Sequence, residues 1–147
     1  MIFLPTPMLD FTIESVASRQ VPNSERVVVR VNYDTSTTNV GMMIAFRHPD
    51  LRVVPLNNRM LWLGSGNVKR GSIINVFTGH GTAIAQDNGN GTSSYNLFWG
   101  LDFVAFDRPE LEPVLFRLGD TTIGVSPGAP AIGVLGNPLH LGYQGNR

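Results

Sequence analysis

His80 is the residue whose type and setting come closest to chemistry. It lies in Gly79-His-Gly-Thr82, and a His-x-Thr motif of this kind is used in pairs by phosphoesterases. The chain contains no second copy, and a catalytic site needs several convergent groups rather than one isolated motif. We therefore interpret His80 as a polar residue at a strand-ending turn, and as a candidate contact for a partner.

The other residues that could form a metal, nucleophile or phosphate site each lack a partner that such a site requires. His48 and His140 are scattered relative to His80, so the histidines show no metal-ligand spacing. The stretch Asp87-Asn-Gly-Asn-Gly91 lacks the alternate oxygen ligands and the later glutamate of an EF-type calcium loop. No serine has the Gly-x-Ser-x-Gly context of a nucleophile elbow, and no glycine-rich turn precedes a predicted helix that could bind phosphate. We predict no enzyme, no metal and no cofactor, and keep Asn88 and Asn90 as candidate contacts.

Composition narrows the class of protein. At 147 residues the chain fits one domain that can bury a core. Lys+Arg 11 balances Asp+Glu 11, so no overall field attracts phosphates and nucleic acid is not favoured as a partner. The charged share of 15% is well below the roughly 25% of average soluble chains, which leaves surface free for contacts. With Cys 0, disulfides and thiolate metal sites are excluded.

The apolar start of the chain does not read as a targeting signal. It has no basic n-region and no small-residue cleavage site. No apolar run approaches the ~18 residues of a membrane span. We expect a soluble protein without a signal peptide, in a compartment that the sequence leaves open.

The periodicity of the middle of the chain predicts an all-β domain. Apolar residues alternate through the run from Glu25 to Tyr33, as in a half-buried strand. Similar short runs separated by turn residues predict further strands at 11–16, 40–46, 51–55, 60–63, 73–78, 103–106, 114–118 and 121–125. The residues expected in the core are Val27, Val29, Val31, Ile74, Val76, Trp99, Phe116 and Leu118. Residues 84–94, with two Asn-Gly steps, are expected to form the longest mobile loop.

Both ends of the chain are predicted to be extended arms. Pro5 and Pro7 keep residues 1–10 out of a helix or a central strand, and leave Ile2, Phe3 and Leu4 at the tip. Residues 126–147 are rich in glycine and proline and too apolar for an ordinary solvated linker. Their candidate contact residues are Leu135, Leu139 and Tyr143. The arms are expected to bind a partner surface, which could be another subunit or an edge of the chain's own domain.

The order of parts in residues 11–125 resembles that of a lamin-tail domain. The stretch Asn23–Asn32 looks like its early strand, and Lys69-Arg-Gly-Ser followed by Ile73–Gly81 looks like its strand and glycine turn. Asn96-Leu-Phe-Trp99 looks like its aromatic anchor, and Pro113–Val125 looks like its closing hairpin. The resemblance implies an antiparallel immunoglobulin-like β-sandwich and a non-catalytic module. Such modules serve in nuclear filaments, and in bacteria they accompany secreted or surface proteins.

Two functions follow from these observations. The first is a non-enzymatic structural or assembly protein, such as a virion or appendage component, in which the arms join copies of the chain or other structural proteins. The second is a binding or tethering module for carbohydrate, protein or nucleic acid, acting through a loop at residues 79–94. Mass in solution distinguishes them, because a large assembly supports the first and a monomer the second.

Overall fold

The fold, described here for residues 7–56 and 60–124 by a computed structural model, is built from β-strands alone. The strands are β1 (Phe11–Ala17), β2 (Arg26–Val31), β3 (Thr35–Ser36), β4 (Val40–Arg47), β5 (Val53–Pro55), β6 (Leu61–Trp62), β7 (Asn67–Val68), β8 (Ile73–Phe77), β9 (Ile84–Asp87), β10 (Ser93–Phe98) and β11 (Leu111–Arg117). The prediction of an all-β chain is confirmed. Within these ranges no helix is long and apolar enough to cross a bilayer.

The strands form two main sheets whose arrangement is consistent with a β-sandwich. One sheet has the order β1-β2-β8-β10-β9, and the other has the order β11-β4-β5, with β6 also pairing β4. A separate ribbon joins β3 to β7. The pairing of β8 with β10 is parallel, whereas an antiparallel sandwich was expected. The reason is that β9 takes the outer edge and turns back, so β10 enters beside β8 in the same direction.

One hydrophobic core joins the two sheets. The alternating residues Val27, Val29 and Val31 of β2 are buried in the same cluster as Val40 and Met42 of β4. Full burial of each aliphatic side chain is worth roughly 1.5 to 3 kcal/mol, so this layer dominates the stability of the fold. The expected core residues that the structure buries are Val27, Val29, Val31, Ile74, Val76 and Trp99.

The expected core positions on β11 are wrong. Phe116 is only half-buried and Leu118 is 40% exposed, whereas Leu111 and Pro113 face the core. Both faces of this strand are apolar, so alternation alone fits either orientation. Phe116 instead covers Gly41 from outside and makes an edge contact with Trp62, with the ring centroids 5.7 Å apart.

Two further expectations about local structure are corrected. Residues 84–94 are not one loop, because most of them belong to β9 and to the start of β10, which a short turn connects. Residues 103–106 form no strand, and neither do residues 121–124 of the expected hairpin; Val125 lies outside the described residues. At 105–106 the backbone is held by a side chain instead of a neighbouring strand, since Ala105 N–H donates to Glu25 Oε1 at 2.7 Å.

Candidate functional site

Six of the predicted contact residues lie outside the described part of the chain. They are Ile2, Phe3, Leu4, Leu135, Leu139 and Tyr143. His80, Asn88 and Asn90 are described, and the structure places them at two separate locations. A third location, which the sequence did not single out, lies where β1 begins and β11 ends.

His80 lies just beyond β8, where the parallel neighbour β10 has also ended. Trp99 N–H donates to the carbonyl of Phe77 at 2.8 Å, and Gly100 N–H donates to that of Gly79 at 2.9 Å. This continued register brings Asp102 beside His80, with Oδ1 2.6 Å from Nε2. Both side chains are largely exposed, at 66% for His80 and 86% for Asp102. The result is a surface pair that can exchange hydrogen bonds with a partner.

The sheet surface next to this pair is filled by its own side chains. The rings of Phe77 and Phe98 stack with centroids 5.2 Å apart, and the Arg26 guanidinium lies 5.6 Å from the Phe77 centroid. Phe98 in turn lies so close to Gly81 that any Cβ there would overlap the ring. Because the ring faces are occupied in this way, the row is not an open platform on which a sugar or a base could stack.

Among the described residues, the His80–Asp102 pair is accompanied neither by further metal-ligating side chains nor by a hydroxyl bonded to His80. In residues 7–56 and 60–124 no three His, Asp or Glu side chains are grouped to hold a metal ion. Among the hydrogen bonds of the same residues, none joins a hydroxyl nucleophile to His80. An imidazole oriented by a carboxylate is part of a triad only when such a third group is present. The arrangement therefore offers polar groups that can contact a partner.

Asn88 and Asn90 occupy the turn between β9 and β10. Asn90 Oδ1 accepts hydrogen bonds from the Thr92 hydroxyl at 2.6 Å and from Thr92 N–H at 3.1 Å. Asn88 Nδ2 donates to the same hydroxyl oxygen at 3.2 Å. These groups mainly close the turn. They lie at the opposite end of β10 from His80, about 20 Å away for six strand residues, so the three predicted contacts do not form one site.

The third location is a network that ties the start of β1 to the end of β11. Arg117 Nη2 donates to Asp10 Oδ2 at 2.7 Å and to the Ser36 carbonyl at 3.1 Å. Asn32 Nδ2 donates to the Leu9 carbonyl at 2.9 Å. We call this network and its chain neighbours the exit cluster; it comprises Leu9, Asp10, Asn32, Tyr33, Arg117 and Leu118.

The exit cluster combines a firm polar centre with an exposed apolar rim. Leu9 is 73% exposed, Tyr33 47% and Leu118 40%. Burial disfavours the charge on Asp10, but hydrogen bonds from Arg117 and Thr35 outweigh it and hold the pKa of that carboxyl below its ordinary value. The ionised pair therefore holds the start of β1 beside the end of β11, with exposed leucines as chain neighbours of both residues.

A surface cavity beside β1 has few free charges with which to bind a ligand. About 410 Å³ of space opens between the edges of β1 and β11. The charged side chains that line it already have partners within the chain. Arg47 lies 3.5 Å from Glu112, and Arg19 donates to the Leu111 carbonyl at 3.1 Å. Glu14 is likewise paired with Arg30 at 2.8 Å. A cavity whose charges are paired internally exerts little pull on a charged ligand.

Sequence reasoning missed Asp102 and the Asp10–Arg117 pair. Asp102 meets His80 only because β8 and β10 run parallel, and Asp10 meets Arg117 across most of the chain. Neither contact leaves a local pattern in the sequence.

No protein-family description, curated protein or solved structure matches this chain.

Proposed function

We propose that this chain is a non-enzymatic structural or assembly protein, for example a virion or appendage component, whose two terminal arms join copies of it or other structural proteins. The observation that carries the proposal is the exit cluster. Its 2.7 Å contact joins Asp10, the last residue of the N-terminal arm (residues 1–10), to Arg117, the last residue of β11, which precedes the C-terminal arm (residues 126–147) in the chain.

Exposed apolar side chains support an assembly role. Leu9, in the N-terminal arm, and Leu118 and Ile123, which precede the C-terminal arm in the chain, are exposed. The arms themselves are rich in apolar residues, including Ile2, Phe3, Leu135 and Leu139. Side chains of this kind can be buried against a neighbouring subunit, and each apolar side chain so buried is worth roughly 1.5 to 3 kcal/mol. A lamin-tail relationship is compatible with this role, since those domains serve in filaments.

The experiment compares mass in solution for the intact chain and for two deletions. Light scattering is measured on the full chain and on chains that lack residues 1–9 or residues 126–147. We expect the full chain to form an oligomer and each deletion to release folded monomers, with folding checked by circular dichroism. An intact chain that stays monomeric at high concentration contradicts the proposal.

Point variants in the intact chain give a matched control. Leu9→Ser with Leu118→Ser removes apolar surface from the exit cluster, and we expect it to weaken association. Val21→Ser with Leu51→Ser removes exposed apolar surface from turns at the far ends of β1 and β4. This control pair is expected to leave the mass unchanged. Equal effects of the two pairs would mean that the exit cluster has no special role.

The second candidate is a binding or tethering module for carbohydrate, protein or nucleic acid. The observation in its favour is the exposed His80–Asp102 pair, rather than a single loop over residues 79–94. A monomeric intact chain favours this function. Nuclear magnetic resonance titration with oligosaccharides, peptides and oligonucleotides then tests it, with shifts of the His80 ring signals as the expected response.

A further inference from the structure

The edge strands of the two main sheets differ in how they are protected. The β1 edge is interrupted by an irregularity between Ile13 and Ser15. The β11 edge contains Pro113, and β5 ends in Pro55. Bulges and prolines are devices that prevent an edge from pairing with another strand. β9 has neither, and all four of its residues are exposed.

The register of β9 shows which backbone groups point outward. Asp87 lies opposite Ser93, and Asn88 N–H donates to the Thr92 carbonyl at 3.0 Å. Asn88 and Thr92 therefore form a hydrogen-bonded pair, and hydrogen-bonded and non-hydrogen-bonded pairs alternate along an antiparallel ladder. Asp87 and Ala85 belong to non-hydrogen-bonded pairs, so their N–H and C=O groups point away from β10. In the described part of the chain no strand lies on that side of β9.

We propose that β9 pairs antiparallel with β9 of a second copy of this chain, about a two-fold axis through Gln86. In this register Ala85 of each copy exchanges two backbone hydrogen bonds with Asp87 of the other. Symmetry produces four bonds in all, and every one joins residues inside the strand. The pairing connects two five-stranded sheets into one continuous sheet across the dimer.

The side chains of β9 are compatible with a second copy of the strand in this register. Each Asp87 carboxylate lies opposite an alanine and not opposite its own equivalent, so the pairing puts no like charges face to face. Asp87 Oδ1 is also already engaged, since it accepts Gly89 N–H at 2.8 Å. Ile84, 61% exposed in one copy, lies diagonal to Gln86 of the other and is partly covered.

This inference deepens the proposed assembly role by adding a contact that does not use the arms. A two-fold contact through β9 and a separate contact through the exit cluster give each subunit two different interfaces. Subunits with two interfaces can extend into a larger closed or open assembly, whereas a single two-fold contact stops at a dimer.

A single introduced cysteine tests the register in the intact chain, which has Cys 0. In the proposed pairing the two copies of residue 86 lie directly opposite, with Cα atoms about 4.5 Å apart, a separation that a disulfide spans. The two copies of residue 84 lie four positions apart along the paired strands, about 13 Å. We therefore expect Gln86→Cys to form a disulfide-linked dimer under mild oxidation about tenfold faster than Ile84→Cys.

A second pair of variants tests the backbone bonds. Ala85→Pro in the Gln86→Cys chain removes an outward N–H without removing a bond to β10, and should slow the cross-link several-fold. Ala85→Val keeps the N–H and should leave the rate unchanged. Equal rates for the cysteines at 84 and 86, or no cross-link at 86, overturn the inference. Because the arms stay intact here, failure of this test is distinct from failure of the deletion experiment.

Discussion

Glu25 is the polar residue on which the described core most depends. Its side chain is 1% exposed, and its two oxygens accept hydrogen bonds from four groups on three separate segments. The donors are Gln20 N–H, the Thr78 hydroxyl, Ala105 N–H and Phe106 N–H. These bonds join the turn after β1, the end of β8 and the loop before β11, so one carboxyl organises one end of the domain.

Replacing Glu25 by glutamine is expected to destabilise the fold by roughly 1 to 3 kcal/mol, the cost of leaving a buried donor unsatisfied. Glutamine has one oxygen, so its NH₂ group must face a donor. Urea unfolding measures the change, and Glu14→Gln on the exposed edge is the control, with an expected loss below about 1 kcal/mol. If both variants unfold at the same urea concentration, the assigned role of Glu25 is wrong.

The Asp10–Arg117 pair makes part of the stability depend on pH. The folded-state pKa of Asp10 is lowered, so its contribution is fully present above the ordinary value of about 3.9 and is lost as pH falls through the folded value. We expect Asp10→Asn to reduce the free energy of unfolding by roughly 1 to 2 kcal/mol at neutral pH, and by less below pH ~4.

Urea unfolding at several pH values, with and without Arg117→Met, measures this dependence. In the Arg117→Met background the effect of Asp10→Asn should shrink at neutral pH, because the main cation facing the carboxyl is gone. An effect of Asp10→Asn that is the same at all pH values would contradict the assignment.

At the scale of elements, β11 shows how pairing decides which face of an apolar strand is buried. Its register with β4 pairs Leu111 with Phe46 and Phe116 with Gly41. Gly41 offers room for the Phe116 ring outside the sheet, and a Cβ at position 41 would lie 2.6 Å from that ring. The glycine thus allows an aromatic residue to lie on the outer face.

Two leucines of this region test the orientation. Leu111→Ala is expected to cost roughly 2 to 5 kcal/mol, because the residue is 5% exposed and leaves a cavity. Leu118→Ala removes the same atoms from an exposed position and should change stability by no more than about 0.5 kcal/mol. Thermal or urea unfolding of the two variants measures the difference. The reverse order would mean that the opposite face of β11 is buried.

At the scale of the whole molecule, the low charge and the exposed leucines of the exit cluster favour an assembly held by apolar and backbone contacts. Formal net charge is +0, and the charged share of the chain is only 15%. Association by apolar arms and backbone pairing should therefore depend little on salt. Sedimentation velocity at low and high sodium chloride is expected to show the same distribution of species. Dissociation at high salt would instead indicate an interface made by charges.

The all-β class, the strands β2, β4 and β8 and much of the core are determined by the sequence alone. Val27, Val29 and Val31 are separated by one residue each, so in a strand their side chains all lie on the same face. That face is the one that the structure buries. The run from Val40 to Phe46 likewise predicts β4, whose observed bounds extend it by one residue. Local patterns of this kind succeed because burial of apolar side chains and strand geometry act over neighbouring residues.

The remaining features were decided by tertiary contacts. The Asn-Gly steps correctly indicate a turn, but only pairing with β10 makes Ile84–Asp87 a strand. The two apolar faces of β11 are equivalent until β4 selects one of them. His80 meets Asp102, and Asp10 meets Arg117, through pairings between distant parts of the chain. Such contacts depend on which strands become neighbours, and the periodicity of a single strand carries no information about its neighbour.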